Sequence, residues 1–94
     1  MTGFQVVLTD ADTNYNLLTL VRAIDANFVD KGEVTVQVDD TATGYVLLGD
    51  ASLSATRYGA KALGGDYSVK FPSIIGVNAR TDVAGTKVHI GVVM

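Results

Sequence analysis

Residues 33–40 read EVTVQVDD. Successive side chains of an extended chain point to opposite faces, so Val34, Val36 and Val38 lie on one side and Glu33, Thr35, Gln37 and Asp39 on the other. Such a strand buries one face and leaves the other to water or to a partner, and it sets the class as mainly β. Thr41-Ala42-Thr43-Gly44 turns the chain into GYVLLGD, residues 44–50, a second strand. Two neighbouring β runs joined by a short polar link suggest a hairpin.

The pattern continues towards the C-terminus. Residues 50–65, DASLSATRYGAKALGG, hold no sustained period and read mostly as loop, with a short strand near 60–63. Gly64-Gly65-Asp66 is a turn, and YSVKF (67–71) alternates again. Pro72 has no N–H to give a ladder and marks an edge or a break. SIIGVNART (73–81) reads as a strand, residues 82–85 turn the chain, and TKVHIGVVM (86–94) closes it with Val88, Ile90 and Val92 on one face.

Towards the N-terminus the period changes. FQVVLT (4–9) is a strand and residues 10–14 a polar loop. In YNLLTLVRAIDANF (15–28), Leu17, Leu20, Val21, Ile24 and Phe28 share one face of a helix, with Arg22, Asp25 and Ala26 on the other side. Asp30-Lys31-Gly32 then breaks the chain. Six or seven short strands with one helix near residues 15–28 predict a compact β-sandwich or jelly-roll-like barrel, forming a single domain over residues 1–94.

Composition narrows the function. A chain of 94 residues with 48% hydrophobic content can build a core. Charged residues are 18%, below the usual ~25%, which suggests a surface partly covered in an assembly. Net charge is -3 and the pI about 4.7. The seven cations, Arg22, Lys31, Arg57, Lys61, Lys70, Arg80 and Lys87, form no stripe, which disfavours a phosphate-backbone partner. Without cysteine there are no disulfides and no thiolate metal sites. A small domain lacking such staples often gains stability by oligomerising. MTGFQVVLTD lacks the basic start and long apolar run of a signal peptide, and no run of ~18 apolar residues would span a membrane. Folding in a cytoplasm is expected.

Several stretches resemble sites. TDADTNYN (9–16) places Asp10, Asp12 and Asn14 as an EF-hand loop would. The sixth position is Tyr15 where the turn wants Gly, and the twelfth is Val21, which cannot ligate, so an EF-hand is excluded. A weaker calcium site at Asp10 and Asp12 stays open beside the plainer reading. In that reading Thr13, Asn14 and Asn16 cap the helix and the two aspartates favour its N-terminus. GYVLLGDAS spaces two glycines as a P-loop does, but Asp50 stands at the lysine position and would repel phosphate. His89 is the only histidine and faces away from the apolar stripe. Ser52, Ser54, Ser68 and Ser73 lack a nucleophile-elbow context. Asp39, Asp40, Asp50 and Asp66 offer carboxylate pairs with no flanking pattern. Tyr45, Arg57, Tyr58 and Tyr67 are the residue types that interfaces favour, and they are the candidate interface set.

From Glu33 to Val93 the chain resembles a family of small structural proteins from tailed phages. The resemblance lies in EVTVQVDD, GYVLLGDASLSATRYG, LGGDYSV, IIGVNA and GTKVHIGVV, taken in that order. It implies a virion β-sandwich module on a capsid or fibre, with no catalytic motif, cofactor or metal. The expected function is a non-enzymatic capsid decoration or cement protein that binds the phage head and stabilises it. The alternative is a receptor- or glycan-binding module of a head fibre or tail spike, with Tyr45, Tyr58 and Tyr67 gathered on one patch. The implied partners are the major capsid protein or another virion protein, and further copies of the chain, a trimer first; no nucleic acid or membrane is implied. The implied location is the virion, after synthesis in a bacterial host.

Overall fold

The structure is a computed structural model that describes residues 2–30 and 32–92. Lys31, within the expected chain break, and Val93 and Met94, at the end of the expected last strand, lie outside the described residues. Among the described residues the chain forms β1 (Thr2–Leu8), β2 (Tyr15–Asn16), α1 (Leu17–Ile24), β3 (Val34–Val38), β4 (Tyr45–Gly49), β5 (Ala60–Leu63), β6 (Val69–Phe71), β7 (Asn78–Thr81) and β8 (Thr86–Val92). These strands make two antiparallel four-stranded sheets, ordered β1-β8-β3-β6 and β2-β7-β4-β5.

The pairings are nested. β1 pairs with β8, β2 with β7, β3 with β6 and β4 with β5. The chain is thus one long antiparallel ribbon doubled back at residues 50–59. It is rolled so that β3 also meets β8 and β4 also meets β7. This is the double-sheet, eight-stranded jelly-roll form of a β-sandwich. The links 9–14, 39–44, 64–68 and 82–85 gather at one end. The β2–β3 connection with α1, the 50–59 loop and the 72–77 link gather at the other.

Alternation builds the core. Val34, Val36 and Val38 of β3 and Val88, Ile90 and Val92 of β8 are buried on one sheet. Val46 and Leu48 of β4, with Ala62 and Ala79, are buried in the same cluster from the other sheet. Leu17 and Val21 of α1 join that cluster, and α1 packs against β1 and β2.

Four expectations change. EVTVQVDD and GYVLLGD do not form a hairpin: β3 and β4 lie in different sheets, and residues 39–44 cross between them. Alternation shows which side chains face inward, and both strands satisfy it by facing each other across the core. The helix is shorter than 15–28. Tyr15 and Asn16 pair with Ala79 and Asn78 as a strand. The Asn16 side chain caps α1 by accepting from Thr19 N at 3.1 Å, and Asp25 leaves helical geometry at φ -131°. Of the expected apolar face, Leu17 and Val21 are buried, Ile24 is exposed, and Phe28 is buried beyond the helix, edge-on to Phe4 at 5.6 Å. SIIGVNART yields a strand only over Asn78–Thr81. Before it, Val77 N donates to Ile74 O at 3.2 Å and Gly76 adopts φ +78°, a turn that drives both Ile74 and Val77 into the core. YSVKF likewise shortens to Val69–Phe71.

The 50–58 loop, expected to be irregular, is ordered by packing. Leu47 lies on the outer side of β4, between two core-facing residues, yet is only 2% exposed. The loop folds back onto that face: a Cβ at Gly49, two residues beyond Leu47, would lie 3.2 Å from Leu53 Cδ1, and Leu53 is buried, its carbonyl accepting from Asn14 Nδ2 at 2.7 Å.

Candidate functional site

The four candidate interface residues divide between the two ends of the sandwich. Tyr45 opens β4 opposite Leu63, and its ring face receives the Lys61 ammonium 4.6 Å from the centroid, a cation–π contact. Tyr67 stands in the 64–68 link at the same end and is 97% exposed. Arg57 and Tyr58 lie at the other end, in the loop before β5. Arg57 approaches Asp50 at 4.0 Å with both side chains largely in water, so that pair holds little. The three tyrosines therefore do not share one patch.

The aspartate-rich loop is held by its own side chains. The Tyr15 hydroxyl accepts from Asp10 N at 2.9 Å and donates to Asp10 Oδ2 at 3.2 Å. The cation facing Asp12 and Asn14 is Arg80, whose guanidinium lies 4.0 Å from Asp12 Oδ1 and donates to Asn14 Oδ1 at 3.4 Å. Of Thr13, Asn14 and Asn16, only Asn16 caps α1; Thr13 bonds to Ala11 O and Asn14 to Leu53 O. Neither Asp10 nor Asp12 lies in the first helical turn, because β2 intervenes. Among the described residues no three His, Cys, Asp or Glu side chains cluster as metal ligands.

His89 and Asp39 are 50 positions apart in the chain and meet at 2.7 Å, Nε2 to Oδ1. The register explains the meeting: His89 lies between Gln5 and Gln37 in a row across the outer face of the first sheet, and Asp39 follows at the end of β3. An ionised carboxylate can only accept, so the proton lies on Nε2. The other oxygen, Oδ2, accepts from the Thr41 hydroxyl and from Thr41 N at 3.2 Å. The Thr41 hydroxyl first, and then His89, hold the Asp39 carboxyl down to about 2. The pair ties β8 to the link between the sheets. It borders a shallow depression of about 330 Å³ lined by Gly3, Gln5, Thr35, Gln37, Ser68 and Gly91.

Beside Tyr58, which the sequence singled out, stand three exposed apolar side chains that it did not. Ile24 is 57%, Val29 60%, Ile75 64% and Tyr58 47% exposed. All four lie at the end that carries the long β2–β3 connection, on three different connections. Ser73 Oγ donates to Asp30 Oδ2 at 2.7 Å and accepts from Ile75 N at 3.0 Å, which holds two of those connections together. The misplaced helix end concealed Ile24, and the overlong strand at 73–81 concealed Ile75.

Comparison with protein families, with curated proteins and with solved structures gives no match.

Proposed function

We propose that this chain is a non-enzymatic structural protein of a phage virion, a capsid decoration protein that binds the head surface and stabilises it. The reading starts from the resemblance of Glu33–Val93 to small tailed-phage structural proteins. The observation that carries it is a group of exposed apolar side chains at one end of the sandwich, where Ile24, Val29, Tyr58 and Ile75 stand 47–64% exposed on a framework whose sheets hold the connections in place. Apolar side chains kept in water on a rigid scaffold suit a surface that is covered by a partner. Double-sheet jelly rolls serve in viral capsid and lectin domains alike, so the fold agrees with the reading without assigning it. The partner is the major capsid protein, and the many equivalent sites of a head convert a modest contact into firm attachment.

The test is a binding titration against empty heads assembled from the major capsid protein of the phage that encodes this chain. Saturable, stoichiometric binding is expected, weakened at least ~10-fold by Ile75→Asp or Val29→Asp, with the melting temperature nearly unchanged because both side chains are exposed. Absence of binding, or binding indifferent to both substitutions, would overturn the proposal.

A further inference from the structure

The two sheets have four edge strands, β1 and β6 in one and β2 and β5 in the other. Soluble proteins blunt such edges with shortness, lysine or proline, because unpaired N–H and C=O groups recruit another strand. Three edges follow that rule. β2 has two residues. β5 has four and carries Lys61. β6 has three, carries Lys70, and runs into Pro72. β1 does not: it is seven residues long, TGFQVVL, with no charge and no proline. Its ladder partner is β8. Among the described residues, the one further hydrogen bond to its backbone runs from Gly85 N to Leu8 O at 2.9 Å. α1 packs against β1 without bonding to its backbone.

We infer that β1 is a dimerisation edge, pairing antiparallel with β1 of a second copy of this chain about a two-fold axis at Gln5. The chemistry of the edge calls for an extended backbone, and the side chains favour the chain itself. A strand that pairs with its own copy sets residues against themselves or their symmetry mates, so a charge near the axis would face its like. β1 carries none, whereas Lys61 and Lys70 burden β5 and β6. Centring on Gln5 brings its amide beside the partner's Gln5, donor to acceptor. It sets Gly3 opposite the partner's Val7 and Phe4 opposite the partner's Val6. Val7 is 38% exposed in the single chain. Phe4 faces inward but is only half-buried, because it lies at the open edge. Both gain cover. Seven residues span about 23 Å. That is a small interface, and its dissociation constant falls in a range on the order of 1–100 µM.

Sedimentation equilibrium of the whole chain from about 1 µM to 1 mM tests the inference, together with hydrogen exchange at the amides of residues 3–8. A monomer–dimer equilibrium is expected, with the outward-facing β1 amides slowing as concentration rises. Gln5→Lys, on an exposed side chain, shifts the equilibrium at least ~10-fold towards monomer without moving the melting temperature; Val7→Lys does the same. Four results overturn it: a monomer throughout, a trimer, a dimer that neither substitution weakens, or β1 amides that become protected only when a different macromolecule is added.

Discussion

Asp39 directs its two carboxylate oxygens to different parts of the fold, one to His89 and one to Thr41. Its folded pKa, about 2, lies below the ~3.9 of an unfolded aspartate. The group therefore contributes stability that is complete above about pH 4 and is lost as pH falls through about 2. Asp30, lowered chiefly by the Ser73 hydroxyl, acts in the same direction. The melting temperature should drop between about pH 4 and pH 2, and Asp39→Asn should flatten part of that drop; an unchanged slope in the variant would show that the carboxylate is uncoupled from folding. A second polar group centres on two buried threonines. Val83 N donates to Thr81 Oγ1, which lies 2.9 Å from Thr86 Oγ1, and Thr86 Oγ1 donates to Val83 O at 2.6 Å, closing a ring beneath the β7–β8 turn. Thr86→Val removes one member and should cost about 1–3 kcal/mol in urea unfolding. Neither arrangement was legible in the sequence. Threonine is common on exposed strand faces, and the spacing of His89 and Asp39 carries no local signal.

Individual elements were more legible where a period was sustained. The alternation of EVTVQVDD marked the inward face of β3 correctly, and that of TKVHIGVVM did so for the described part of β8, because one buried face imposes a period of two. The short strand at Ala60–Leu63 also lies where it was expected. Alternation says nothing about which sheet a strand enters, and so it suggests a hairpin for β3 and β4, which lie in different sheets. The helix lost its first two residues to β2, since Asn16 is a better cap than an interior helical residue. Asn16→Ala should cost about 1 kcal/mol, read from the midpoint of chemical unfolding. The 50–58 loop shows a different limit. Its lack of period was read correctly, but its single leucine acts as a lid. Leu53→Ala should uncover Leu47 and cost about 2 kcal/mol or more. Loss of protection at the β4 amides in hydrogen exchange would accompany it, and an unaffected β4 would mean that the loop covers nothing of consequence.

The complete architecture depends on contacts remote in sequence. The sheet containing β3 closes only when β1, at one extreme of the chain, meets β8 at the other, with Thr2 paired to Val92 and Leu8 to Thr86. Class and rough strand count could be read from local patterns, but the nesting of the ribbon could not, since it is a property of all eight strands together. Topologies dominated by such distant pairings fold in milliseconds to seconds. The same pairing governs the response to tension. Thr2 and Val92 are antiparallel neighbours at one end of the sandwich, so a force that draws the two termini apart peels β1 from β8 like a zip, one rung after another. Pulling across the edge of β1 instead strains all its rungs together. A partner that grips the flank of the sandwich therefore loads β1 in its stronger direction, and one that draws Thr2 away from Val92 loads it rung by rung.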